Sequence, residues 1–111
     1  MKKVVAIGSK EIPMLANAAS VILYKNVFHE DFLALMQKQP APADLFVKMG
    51  FIFAKQGAGM TMKEVNSLSE DHFLEWLADF EPLDVLLASD SISELFTAQA
   101  EKTSDPKPQG E

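Results

Sequence analysis

The chain has 111 residues, of which 48 % are hydrophobic, and its 10 Lys against 16 Asp and Glu give a formal net charge of −6. This length suits one domain with a modest core, and the hydrophobic content excludes disorder throughout. The lack of cysteine excludes disulfides and thiolate metal sites, and no segment approaches the roughly 18–20 apolar residues of a membrane-spanning helix.

Residues 3–14 are predicted to form a short β-hairpin. Val4, Val5 and Ile7 favour extended backbone, and Gly8-Ser9 suits a two-residue turn. Because an isolated hairpin is only marginally stable in water, we expect it to dock on the helices that follow.

A helix is predicted from Asn17, which can cap it, to about Phe28. A break is expected at His29, after which Asp31 can cap a second helix, although one bent helix over this region is an alternative. The run Gln39-Pro-Ala-Pro42 then interrupts the helical pattern.

A third helix, over about residues 42–56, is apolar around most of its circumference and is therefore predicted to lie at the centre of the domain. Gly50 in its middle suggests close approach by a neighbouring element. The segment Gly57-Ala-Gly59 is expected to end it.

Two capping-box patterns follow, Thr61-x-x-Glu64 and Ser67-x-x-Glu70. The second is predicted to open the most amphipathic helix of the chain, which Pro82 ends. Its apolar residues recur at helical spacing, at Phe73, Trp76, Leu77 and Phe80.

A final helix is predicted from about Leu83 to Ala100, with an interruption at residues 89–91 left open, and residues 102–111 are predicted to be a disordered tail. The expected fold class is therefore mainly α. It is a small bundle of about four to five helices with a short N-terminal β-hairpin, in one domain over residues 1–101.

Charge is divided unevenly along the chain. Residues 1–69 carry eight Lys against five acids, whereas residues 70–111 carry two Lys against eleven acids. An acidic chain without Arg is a poor ligand for nucleic acid. The acidic part is either a solvated surface or a surface that meets a basic partner or the basic end of a neighbouring copy.

Catalysis is not expected, and neither is a cofactor or a metal. His29 and His72 have no partner at metal-ligand spacing, and the Gly-rich segment 56–61 lacks the Lys-Ser/Thr of a phosphate-binding loop. The acidic pairs Glu30-Asp31 and Glu70-Asp71 are adjacent in sequence, so their members do not face each other on a helix.

The segment from Ile12 to Phe32 carries the motif Tyr24-Lys25-x-x-Phe28-x-x-Asp31-Phe32. It resembles the start of the tail assembly chaperones that long-tailed phages and prophages of Gram-positive bacteria encode, in which a hairpin leads into a helix ending in Tyr-Lys-x-x-Phe-Gly-x-Asp-Phe. His29 stands where that family usually has Gly, and Leu23 where it usually has Arg. Because Gly permits a left-handed turn more readily than His, His29 in place of Gly puts the geometry of this turn in question.

Two further segments resemble the same family. Phe51-Ile-Phe-Ala-Lys-Gln56 is similar to the end of its central helix, and Phe73-Leu-Glu-Trp-Leu-Ala-Asp-Phe80 is similar to a recurrent Trp-Leu-x-x-Phe near its C-terminal end. The resemblance covers about residues 3–100. It rests on the order and spacing of motifs that are individually weak.

The resemblance implies a chaperone that binds the tape measure protein, a very long and largely helical chain that sets tail length. The chaperone keeps this protein soluble in the host cytoplasm until the major tail protein polymerises around it. The major tail protein is a second candidate partner, and self-association is left open. The basic start of the chain is followed by too short an apolar run for a signal peptide, which also favours a cytoplasmic protein.

Large apolar side chains are expected to bind the partner. We predict that a groove bordered by Tyr24, Phe28, Phe32 and the Trp76–Phe80 helix receives a partner helix. The alternative for each of these side chains is that it packs in the domain's own core. The alternative function is a small acidic adaptor or inhibitor that binds a basic protein partner. The candidate partner-binding residues are Tyr24, Lys25, Phe28, Phe32, Met36, Trp76, Leu77 and Phe80.

Overall fold

The computed structural model describes the backbone of residues 1–104 and the side chains of residues 1–98. In this part of the chain an antiparallel hairpin precedes six helices, which confirms the predicted fold class. The elements in chain order are β1 (Lys2–Ile7), β2 (Lys10–Leu15), α1 (Ala19–Phe28), α2 (Phe32–Met36), α3 (Leu45–Gly57), α4 (Met62–Asn66), α5 (Glu70–Leu77) and α6 (Pro82–Ser104).

The hairpin turns at Gly8-Ser9, as predicted, and Gly8 has a φ of 64°, a left-handed conformation that glycine adopts without steric cost. Val5 pairs with Ile12 across the two strands. Val5 and Ile7 on one face are buried. This face covers the helices, since β1 packs on α6 and β2 packs on α3.

The region of residues 18–37 forms two helices, which settles the alternative left open by the sequence. Asn17 accepts a hydrogen bond at 3.0 Å from the Ala19 N–H at the start of α1. His29 ends α1 in the left-handed conformation, with a φ of 59°. Asp31 caps α2, because its Oδ1 accepts hydrogen bonds from the Leu33 and Ala34 N–H groups.

Helix α3 lies at the centre of the domain, as predicted, and is buried around almost its whole circumference. Its two glycines allow close approach of other elements. A Cβ on Gly50 would meet the Ile92 side chain of α6, and a Cβ on Gly57 would meet the Pro13 carbonyl of β2. These contacts fix the distances of α6 and the hairpin from the central helix.

Of the two predicted capping boxes, the first is confirmed and the second is wrong. Glu64 donates its N–H to Thr61 Oγ1 at 3.1 Å, and Thr61 donates its N–H to Glu64 Oε1 at 2.8 Å. Ser67 instead lies at the end of α4. Helix α5 is preceded by Ser69, whose N–H donates to Nδ1 of His72 at 3.0 Å.

Helix α5 ends at Leu77, and Pro82 is the first residue of α6, a position where proline has no helical hydrogen bond to lose. Helix α6 is continuous through residues 89–91 and extends to Ser104, three residues into the predicted tail. The rest of that tail, residues 105–111, lies outside the described residues. Within residues 1–104, no helix has the length and apolar composition required to cross a bilayer.

Candidate partner-binding site

Three of the predicted binding residues, Tyr24, Phe28 and Phe32, are buried. The Tyr24 ring lies 5.0 Å from that of Phe28 and 5.2 Å from that of Phe32, centroid to centroid. Such tilted and edge-on ring pairs are typical of a packed aromatic core. The prediction that these three rings border an open groove is therefore wrong.

The turn after α1 explains why these rings converge. The His29 N–H donates to the Lys25 carbonyl at 2.7 Å, which closes α1 with a left-handed residue. Asp31 then caps α2, which begins after only three intervening residues, 29–31, so that the Phe32 ring packs against the ring of Tyr24. The motif of residues 24–32 therefore builds core packing.

A small ionic cluster lies beside these rings. Tyr24 donates its hydroxyl hydrogen bond to Glu30 Oε1 at 2.8 Å. Lys48 Nζ lies 3.4 Å from Glu30 and 3.5 Å from Asp44, and 5.3 Å from the centre of the Phe28 ring. Burial, then the hydrogen bond to Glu30 and the nearby negative charges, raise the pKa of the Tyr24 hydroxyl far above its usual range.

Two other predicted residues lie on the surface. Lys25 is exposed on α1, and Met36 is partly exposed at the end of α2, near the exposed Leu33 in sequence. Neither Lys25 nor Met36 lines the open groove that is described below.

The predicted residues of the α5 region remain partly accessible. Trp76 packs between Phe51 of α3 and Phe80, with ring centroids 5.6 Å and 5.0 Å away. Leu77 and Phe80 are also partly buried, and both contribute to an open groove. The structure therefore brings Trp76, Leu77 and Phe80 together. Phe73 of α5 connects this group to the buried rings of α1, because its ring lies 5.3 Å from that of Phe28 and 6.4 Å from that of Trp76.

The groove lies between α5 and α6, which both pack on α3 and make little direct contact with each other. We call it the α5–α6 groove. It has two parts that share Leu77, Val85 and Leu86 in their lining, with volumes of about 320 Å³ next to α3 and about 360 Å³ next to Pro82. Its residues are Ala43, Asp44, Val47, Lys48, Glu70, Phe73, Leu74, Leu77, Phe80, Pro82, Val85 and Leu86.

The most accessible apolar side chains of this groove are Leu74, 55 % exposed, and Leu86, 57 % exposed. Sequence reasoning missed both. A signal for Leu86 was present in α6, where Leu83, Leu86 and Leu87 recur at helical spacing beside the stripe that includes Ile92. A helix with apolar residues on two sides can bury only one of them in a domain of this size.

The polar groups of the described residues mainly support the fold. His72 receives the Ser69 N–H at the start of α5, and His29 occupies the left-handed turn. Within residues 1–98, no three His, Asp or Glu side chains lie close enough together to hold a metal ion.

The sequence and structure were compared with protein families, curated proteins and solved structures, and none of the three comparisons gives a match.

Proposed function

We propose that this chain is a non-enzymatic tail assembly chaperone that binds helical segments of a tape measure protein in the host cytoplasm, with the α5–α6 groove as its binding site. The observation that carries the proposal is the groove itself. It is lined by apolar side chains of two helices, and Leu74 and Leu86 are more than half exposed at its edges. Grooves of this kind receive the apolar face of an amphipathic helix.

The energetics suit reversible binding. Burying the exposed half of a leucine side chain stabilises a complex by about 1 kcal/mol. Leu74 and Leu86 therefore supply about 2 kcal/mol before the cost of association is subtracted. This is less than the cost of association, so the rest of the apolar lining and the partner's own apolar stripe must supply the remainder, and binding is expected to be weak and reversible.

The turn at His29 also supports the proposal. The resembling family usually has Gly at this position, and the backbone here adopts a left-handed conformation with a φ of 59°. Gly is the residue that takes this conformation without strain. The geometry of the turn therefore suits the family motif, with His as a less favourable substitute.

The candidate set changes with the structure. Leu77 and Phe80 line the groove and are kept as proposed binding residues, and Leu74 and Leu86 join them. Trp76 does not line the groove and supports it by packing against Phe80. Tyr24, Phe28 and Phe32 support the fold instead. Lys25 and Met36 lie outside the groove and remain untested surface positions.

Co-expression with the cognate tape measure protein tests the proposal. The gene for that protein is expected nearby, as a very long reading frame downstream of a major tail protein gene. We expect the soluble fraction of the tape measure protein to rise severalfold when the full chain is present. No gain in solubility contradicts the proposed function.

The second candidate function is an acidic adaptor that occupies a basic protein. The concentration of acids from Glu70 to Glu94 favours it. Binding driven by charge alone fades as salt shortens the screening length from about 10 Å at 0.1 M to about 3 Å at 1 M. A pull-down that fails at high salt supports the adaptor, and one that persists supports the chaperone.

A further inference from the structure

The two helices that form the α5–α6 groove carry charge of one sign. Residues 70–98, which include α5 and most of α6, contain no Lys or Arg. They contain eight acids, which are Glu70, Asp71, Glu75, Asp79, Glu81, Asp84, Asp90 and Glu94. Such a surface creates a negative potential around any ligand that lies between the helices.

The charges inside the groove have the same bias. Asp44 and Glu70 belong to its lining, and the one cation of that lining is Lys48. Lys48 is bound to Glu30 and Asp44 at 3.4 and 3.5 Å, and only 10 % of its side chain is exposed. Its charge is therefore committed within the protein. At the opposite end of the groove the Lys10 ammonium lies 5.1 Å from the centre of the Phe80 ring, so the negative edge is the one at Glu70.

The apolar residues of α5 set the form of the ligand. Glu70, Phe73, Leu74 and Leu77 recur at i, i+3, i+4 and i+7, so the acid at the groove edge and the apolar wall lie on one face of the helix. The eight residues of α5 extend over roughly 12 Å, which corresponds to about two turns of a docked helix. A helix of that length fits with its apolar stripe inward and its flanking side chains beside the acids.

We infer that the α5–α6 groove selects amphipathic helices whose apolar stripe is flanked by Lys or Arg. This inference rests on the proposed function and specifies the chemistry of its partner segments. Cationic flanks meet the uncompensated acids, whereas acidic flanks are repelled by them. A symmetric contact with the same groove of a second copy is the less suitable arrangement, because that copy's α5 and α6 would bring further acids to the interface.

Binding of matched peptides to the full chain tests the inference. Three labelled helical peptides of about 18 residues share one leucine stripe and differ only in flanking residues, which are Lys, Gln or Glu. We expect fluorescence anisotropy at low salt to show the Lys peptide binding about tenfold more tightly than the Glu peptide, equivalent to about 1.4 kcal/mol. In about 1 M salt the difference should shrink while binding of the Lys peptide persists.

A matched pair of variants locates the selectivity. Glu70→Gln removes the groove-lining acid that belongs to α5, whereas Asp71→Asn removes an exposed acid from the same first turn that does not line the groove. We expect Glu70→Gln to reduce the preference for the Lys peptide about threefold and Asp71→Asn to change it much less. Circular dichroism verifies that both variants keep the helical content of the parent chain.

The inference is overturned if the three peptides bind equally, if none binds, or if the two variants have the same effect. It is also overturned if the chain self-associates and excludes the peptides. The proposed function is judged separately by co-expression. If the tape measure protein becomes soluble while the peptides show no preference, the proposed selectivity is wrong and the chaperone function stands. If neither the gain in solubility nor the peptide preference is observed, both the function and the selectivity are rejected.

Discussion

The single tyrosine of the chain gives a sharp test of how the core is built. Tyr24 is 0 % exposed and donates its hydroxyl hydrogen bond to Glu30. Burial, that hydrogen bond and the charges of Glu30 and Asp44 raise its pKa far above the ordinary value of about 10. The folded protein therefore keeps this proton at a pH where the unfolded chain releases it, so stability from this group is full below about pH 10 and is lost as pH rises further.

The size of this loss of stability follows from one proton, which the unfolded chain releases and the folded protein keeps. Above about pH 10 the free energy of unfolding should fall by about 1.4 kcal/mol per pH unit from Tyr24 alone, giving a loss of about 1.4 kcal/mol by about pH 11. Tyr24→Phe keeps the ring but removes the ionisation. At neutral pH it should cost about 1–2 kcal/mol through the lost hydrogen bond to a carboxylate. The difference between the two proteins should therefore almost disappear by about pH 11.

Urea unfolding followed by Trp76 fluorescence, in steps from about pH 8 to about pH 11, measures both stability profiles. Tyrosinate absorbance of the folded protein reports the ionisation directly, because no other tyrosine contributes. Parallel profiles for the parent and Tyr24→Phe would refute the reasoning. So would the appearance of tyrosinate at about pH 10 in the folded protein.

Three substitutions test the local geometry. Gly57→Ala should destabilise the protein by about 1–3 kcal/mol in urea unfolding, because the new methyl group would meet the Pro13 carbonyl; Ala58→Ser, at an exposed neighbouring position, should cost much less. Asp31→Ala should cost about 1 kcal/mol by removing the cap of α2. His29→Gly should stabilise by about 1 kcal/mol and raise the melting temperature by several degrees, since the left-handed backbone suits Gly. Unchanged stability of Gly57→Ala, Asp31→Ala or His29→Gly contradicts the contact or backbone conformation assigned to that residue.

Local signals in the sequence predicted much of the fold. Gly8 identified the hairpin turn, Asp31 identified the start of α2, and the continuous apolar character of α3 placed it at the centre. Each signal depends on the backbone of a few residues or on the composition of one helix. Such features change little when distant elements pack against them.

The errors arose where distant packing or a competing local contact decides the outcome. Ser67 has a good capping-box spacing to Glu70, but it ends α4 while Ser69 and His72 interact at the start of α5. A proline can lie just after the end of one helix or in the first turn of the next, and Pro82 is the first residue of α6. Both alternatives fit the local pattern of residues, so the sequence pattern alone does not distinguish them.

The candidate site was only half predictable. The helical periodicity placed Trp76, Leu77 and Phe80 on one face. It did not indicate that Tyr24 and Phe32 are fully buried in the core. Whether an aromatic residue is buried depends on how α2 folds back against α1 and α3, which is a property of the whole domain. The open groove became visible only when α5 and α6 were placed on α3.

The most direct test of the central claim compares two exposed apolar positions in the co-expression assay. Leu86→Glu places a charge in the α5–α6 groove, whereas Ile22→Glu places the same charge on α1, where the parent side chain is 62 % exposed and does not line the groove. We predict that Leu86→Glu loses most of the soluble tape measure protein and that Ile22→Glu retains it. Equal yields from the two variants, both folded by circular dichroism, would contradict the groove as the binding site.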